Sequence, residues 1–150
     1  VEVTTPNSIS NDAPELIATE NIPLVWPLVG PRLQEAIDKM EFVEYELPYV
    51  QSLLMNGQAQ LWCGGPAAEM IAITRIVVYP NVKRLVVDFI EGHDHDQYTE
   101  HMEYIEHWAV TRGATQAEAE LRPGLERIAK SQGWKKRRVK MFKNLKYGIH

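Results

Sequence analysis

The sequence predicts an α/β fold, a mixed and mainly antiparallel sheet flanked by helices, and three observations carry that prediction. Three β-rich runs between residues 58 and 90 are divided by only two short turns, the pattern of an antiparallel meander. The third run ends in Gly92 and leads through a polar turn into an amphipathic helix, with another alternating run beyond it. Such a strand–helix–strand unit makes a parallel pair through a right-handed crossover. Two helical patterns precede the meander, and helices on a mixed sheet each bury one face against it.

Residues 1–21 are polar and interrupted by Pro6 and Pro14, so a polar N-terminal arm without its own core is expected there. Its few large apolar side chains do not offset the entropy of ordering the backbone. Such an arm is expected either to move freely or to lie across another subunit. A single domain is expected over 22–150. Over 22–30, apolar residues crowd around Pro23, Trp26 and Pro27, which suggests an extended lead-in. Pro31 suits the first position of a helix, with Leu33, Ala36, Ile37 and Met40 at helical spacing. Pro48 opens a second helix, faced by Val50, Leu53 and Leu54 and stopped by Gly57.

The first strand run, 58–63, places Ala59, Leu61 and Cys63 on one side. Gly64-Gly65-Pro66 turns the chain into 69–79, and Pro80-Asn81 turns it again into 82–90. The helix expected over 97–112 carries Tyr98, Met102, Ile105 and Ala109 on one stripe, with Trp108 at its edge and Gly113 as cap. A weakly alternating run, 115–121, is expected as the parallel strand. Pro123 opens a short helix that Gly133 ends, and 134–145 is expected as a closing strand with Val139 and Met141 opposite Lys140 and Phe142.

Composition is that of an ordinary globular chain, 45% hydrophobic and 24% charged, so a packed core is expected. No apolar run approaches the length of a membrane span, and the first fifteen residues lack the basic start and apolar block of a secretory signal. The one cysteine, Cys63, excludes an internal disulfide and a CxxC metal knuckle. These features favour an intracellular or assembly-associated protein. Charge is unevenly spread. Residues 122–150 carry ten lysines and arginines against the single acid Glu126, a net of +9. The other residues carry six against nineteen acids, a net of −13. A basic end on an acidic body is either a polyanion surface or a solvated face that pairs with acidic protein. The second is favoured, because a nucleic-acid domain is normally basic as a whole. Lys135, Lys136, Arg137 and Arg138 are the candidate interaction residues.

The turn after the third strand run invites chemistry, since free N–H groups at a helix start attract anions. Here it holds Glu91, Asp94 and Asp96, with only His93 and His95 as possible cations, so its charge has the wrong sign. His-x-His with carboxylates is a metal-ligand spacing, but the third convergent ligand is missing and no metal is expected. His101 and His107 each follow the previous histidine by six residues and share no helical face well. Cys63, beside Trp62 in an alternating run, is expected as core packing, since a reactive thiol needs an electropositive, accessible site. No GxSxG, GK[ST] or GxGxxG pattern occurs. Arg122, before Pro123-Gly124, has two readings that stay open: a phosphate ligand at a helix start, or a partner of Glu118 or Glu120. The four tryptophans sit at element edges and are expected as core or interface anchors.

The element order, together with the segments VWPLVGPRLQEAI, GQAQLW, TRIVVYP, IEHWAVTRGA and RPGLERIAKSQGW, resembles the GNAT acyltransferases, and within them divergent GNAT-like proteins encoded by tailed phages. The resemblance covers about residues 24–145 and implies the fold named above in its GNAT-like form. It further implies that acyl-CoA pyrophosphate would lie on the backbone N–H groups between the fourth strand and the next helix. The matching positions are Gly92, His93, Asp94, His95, Asp96 and Gln97, with Arg122 across the cleft. Only Gly92 and Gln97 fit the family's Gly-rich, Arg/Gln-rich wording, and no tyrosine in 124–134 matches the family's tyrosine acid. The expected function is therefore a phage-encoded GNAT-like protein that has lost acetyltransferase activity, binds no cofactor, and serves as a virion or assembly component through protein contacts. Its partners would be virion subunits or further copies of itself, with nucleic acid a weaker alternative and no membrane, and its place the host cytoplasm or the virion. The alternative is an acetyl-CoA-dependent N-acyltransferase with an unusual cofactor turn.

Overall fold

A computed structural model describes residues 13–39, 44–65, 67–92, 95–121 and 123–146, with the side chains at 95–98 and 123 excepted. In chain order the elements are β1 (Glu15–Leu16), a 3-10 turn (Thr19–Asn21), α1 (Ile22–Asp38), α2 (Leu47–Met55), β2 (Gln60–Gly64), β3 (Met70–Val78), β4 (Lys83–Glu91), α3 (His95–Thr111), β5 (Gln116–Ala119) and α4 (Pro123–Ser131). The strands form one sheet in the order β1-β2-β3-β4-β5. The first three pairings are antiparallel, and β4 pairs β5 in parallel through the α3 crossover. The expected mixed, mainly antiparallel α/β sheet is the observed one. The chain divides into two compact units, 1–120 and 121–150, a division that falls inside the span 22–150 expected as one domain.

Three elements differ from the sequence expectation. Residues 22–30 are helical rather than extended. Pro23, Pro27 and Pro31 recur every four residues and all three are exposed. Pro23 stands in the first turn, where an N–H has no partner within the helix, and at Pro27 and Pro31 the missing N–H would have bonded the carbonyl four residues back, on the wet side where water can satisfy it. The opposite side buries Ile22, Val29, Leu33, Ala36 and Ile37, and that burial keeps the helix. The second difference concerns the expected arm. Glu15 and Leu16 pair with Cys63 and Trp62, the Ile17 N–H donates to the Leu61 carbonyl at 2.9 Å, and Ile17 packs on the core. Residues 1–12 lie outside the described residues. Third, 134–145 forms no ladder among the described residues. Alternation alone shows which side chains share a face and not that the segment pairs.

The sheet is covered on both faces. On one, Ala59, Leu61, Ile71, Ile73 and Phe89 pack with the buried faces of α1 and α2 in a single cluster. On the other, Trp62 meets Tyr104 and Trp108 of α3 edge-on, at 6.3 and 5.1 Å. The α3 residues His101, Met102, Ile105 and Ala109 are buried, so α3 covers this face. A register shift between β3 and β4 makes Ile73 face Phe89 while Thr74 faces Val87, leaving Asp88 as the extra residue of a bulge. The bulge breaks the alternation of β4 and sends Phe89 into the α1/α2 cluster. The buried Trp62 Nε1–H donates to Thr74 Oγ1, which donates to Gln60 Oε1, each at 3.0 Å. This chain of bonds satisfies the indole that β2 buries. Among the described residues no helix is long and apolar enough to cross a membrane.

Candidate functional site

The bulge at Asp88 organises the candidate site. The parallel ladder joins Arg84–Val87 to Gln116–Ala119 and stops there. β4 continues to Glu91, held on its β3 side by the pairs Ile73–Phe89, Ala72–Ile90 and Ile71–Glu91. On the β5 side, Asp88 to Glu91 have no strand partner among the described residues. The ladder ends at the bulge, where β5 also ends, and the edge of β4 beyond it leads to Gly92 and the start of α3. Backbone donors on such an edge, followed by a helix start, suit an extended ligand with an anionic end.

Beside the bulge, Tyr45, Tyr49, Leu53, Gln58, Arg75, Ile76 and Val77 line a half-open cavity of about 290 Å³. Arg75 donates from Nε to Asp88 Oδ2 at 2.5 Å and from Nη2 to Oδ1 at 3.0 Å. Asp88 is only 10% exposed, so the pair is well shielded on that side. The bidentate bond to Asp88 raises the Arg75 pKa against the opposing effect of burial. Burial first, then the Asp88 charge, raises the Tyr45 phenol. Tyr45 stacks with Tyr49 at 6.4 Å and meets Phe89 edge-on at 5.5 Å. The cavity therefore offers a protonated phenol and a guanidinium, and that guanidinium already engages both oxygens of Asp88. The sequence carried one signal for this pair: a single charge in the middle of each of two apolar strand runs, Arg75 and Asp88. Nothing singled out Tyr45 or Tyr49.

The residues expected to cradle pyrophosphate are only partly brought together. Gly92 ends β4 half-buried. A Cβ there would meet Met70 Cγ at 3.5 Å, ordinary contact, so packing within the chain does not require glycine at this position. His95, Asp96 and Gln97 lie in the first turn of α3. His93, Asp94 and Arg122 lie outside the described residues. The sequence around this turn supplies no lysine or arginine to meet a pyrophosphate. From 85 to 111 the chain has seven carboxylates and no lysine or arginine, and the next glycine after Gly92 is Gly113. The N-terminus of α3 favours an anion by about 0.3–1 kcal/mol. Each carboxylate at close range opposes it by roughly 1 kcal/mol even when screened.

The remaining candidates separate. His101 is buried against Gly64, while His107 is exposed, so they face different ways. Among the described residues no group of three His, Cys, Asp or Glu could hold a metal ion, and the side chains of His93 and His95 are not among those described. Cys63 packs on the core as expected, its thiol pushed up to about 11 by burial first and Glu15 second, against Arg32. Lys135, Lys136, Arg137 and Arg138 are all exposed in the second unit.

No protein-family model and no curated protein matches this chain. Solved structures do. A probable acetyltransferase is 12% identical, with a TM-score of 0.63 over 88% of this chain and 94% of that one. An aminoglycoside acetyltransferase from an uncultured soil metagenomic sample, in complex with sisomicin, is 14% identical, with a TM-score of 0.65 over 89% and 95%. A predicted acetyltransferase with acetyl-CoA from Clostridium acetobutylicum is 11% identical, with a TM-score of 0.64 over 91% and 98%. At these identities the likeness is one of fold. The chain has a GNAT acetyltransferase-like fold.

Proposed function

We propose that this chain keeps a GNAT-like fold without acetyl transfer and works through protein contacts, as a phage-encoded virion or assembly component in the host cytoplasm or the particle. The observation that carries this is the charge around the cofactor turn: Glu91, Asp94 and Asp96 stand at it in sequence, with no lysine or arginine from 85 to 111. A fold does not bring its activity with it when the site chemistry has changed. Support for the phage setting is the sequence resemblance around Trp108, Gly113 and Trp134. The protein-contact part is supported by the exposed basic run that begins at Lys135. The test is a thiol-release assay with acetyl-CoA and a panel of primary amines, aminoglycosides included. No release above the enzyme-free blank is expected. Turnover abolished by changing Tyr45 or Asp88 would replace this proposal with the second reading.

That second reading is an acetyl-CoA-dependent N-acyltransferase. The observation favouring it is the end of the β4–β5 ladder at the Asp88 bulge, next to a cavity of about 290 Å³ that an amine acceptor could enter. The sequence around the cofactor turn supplies no lysine or arginine to meet a pyrophosphate, so this reading stands second.

A further inference from the structure

Two exposed surfaces of this chain have opposite charge and the same mixed texture. One is the outward stripe of α3, where Glu100, Glu103, Tyr104, His107 and Val110 are all exposed. Their spacing of three and four residues makes them neighbours on one helix face. Tyr104 is 46% exposed and Val110 62%, so the acidic stripe also offers apolar area. The other surface is the run 134–146, with seven lysines and arginines and no acid. It interleaves them with Val139 at 77%, Met141 at 87% and Leu145 at 72% exposure. Together with the seven cations, these exposed side chains give the run both charge and apolar area to offer a partner.

We infer that residues 134–146 of one copy dock on the outer stripe of α3 of a second copy, and that the exchange is reciprocal. This rests on the protein-contact reading above and names the partner. A two-fold arrangement uses the same contact twice, so each complementary pair of surfaces counts double. Length allows it: a 17-residue helix is about 25 Å long, and thirteen extended residues reach up to about 43 Å. Charge favours a second copy over a nucleic acid. The chain outside 122–150 carries a net of −13 and repels a polyanion, whereas a second copy brings the acidic patch with it. The ion pairs steer and set the register, and the apolar side chains between them hold the complex once water is excluded.

Sedimentation velocity on the full chain tests this. The protein is expected to dimerise at low ionic strength, with a dissociation constant at least ~10-fold weaker when salt rises from about 0.05 to about 0.3 M. Glu100→Lys with Glu103→Lys should abolish the dimer, as should Lys135, Lys136, Arg137 and Arg138 all changed to Glu. These surface changes leave the core untouched, which matching circular-dichroism melts would verify. Mixing the two variants should restore both complementary pairs, one native and one with its charges reversed, and give a heterodimer. A monomer at every concentration overturns the inference. So does a dimer that neither variant set weakens, a mixture that stays monomeric, or a monomer that binds an oligonucleotide or anionic vesicles through the run. Acetyl-CoA turnover by a chain that still dimerises would sink the proposed function and leave this inference standing. A monomer without turnover would do the reverse.

Discussion

Replacing Gly64 with alanine tests how closely α3 is seated on the sheet. An ideal Cβ at Gly64 would lie 2.5 Å from Cε1, 2.8 Å from Nδ1 and 3.0 Å from Nε2 of His101. His101 is only 2% exposed, so its ring has no open space to move into. The φ of Gly64 is not positive, so alanine there meets no backbone strain and gains some strand rigidity. The clash must be relieved by shifting the ring or α3 by about 1 Å, and such overpacking costs about 1–3 kcal/mol. For a chain of this size that is a fall of about 3–8 °C in thermal midpoint. Urea denaturation followed by circular dichroism measures the difference. The decisive step is the double variant. His101→Ala alone should destabilise by about 2–4 kcal/mol through the space it leaves. In that background Gly64→Ala should cost nothing, because the new methyl fills part of the vacancy. A coupling of at least about 1 kcal/mol is therefore expected between positions 64 and 101. Additive effects, within about 0.5 kcal/mol, would show that Gly64 and His101 do not touch and refute the seating of α3 described above.

Three further outcomes follow from other contacts. Thr74→Val should be less stable than Thr74→Ser by about 1–2 kcal/mol, because valine leaves the buried Trp62 N–H without its acceptor; equal urea midpoints would contradict the hydrogen-bond chain. Cys63 has a folded pKa of about 11 against an ordinary 9.0, so above pH 9 the unfolded chain ionises first. Its contribution is fully present below that and is lost as pH rises towards 11; Cys63→Ala should flatten the fall in stability over this window by about 2–3 kcal/mol, and an unchanged slope would count against it. Deleting residues 1–21 should lower stability by about 2 kcal/mol, because it removes the β1 ladder and the packed Ile17. An unchanged midpoint would return residues 15–21 to the status of an arm.

The strand runs and the crossover were legible because β-branched residues and short Gly/Pro turns leave few alternatives. The ladders at β2, β3 and β4 lie within two or three residues of where alternation places them. The start of α1 was hidden because proline signals a break locally. Its tolerance here depends on all three prolines sharing the wet side of a helix whose other side is core. β1 was hidden because two paired residues carry no periodicity. The closing strand was over-read, since alternating Val139 and Met141 indicate what a segment can do and not whether it pairs. At the candidate site, the acidic turn was plain from Glu91, Asp94 and Asp96. The cavity was not, because Tyr45 and Tyr49 meet Arg75 only through the fold, and the bulge that sets Asp88 beside them is a matter of register.

The central claim is that the cofactor position of this fold has been made hostile to its cofactor, and titrating acetyl-CoA into the pure protein by calorimetry tests it most directly. Glu91, Asp94 and Asp96, the three carboxylates at this turn in sequence, would weaken a pyrophosphate ligand by about 100-fold at roughly 1 kcal/mol each. The account predicts no binding in the micromolar range, at low salt or high. A one-to-one micromolar complex would contradict it, and would make the edge of β4 beyond the bulge a working cofactor slot.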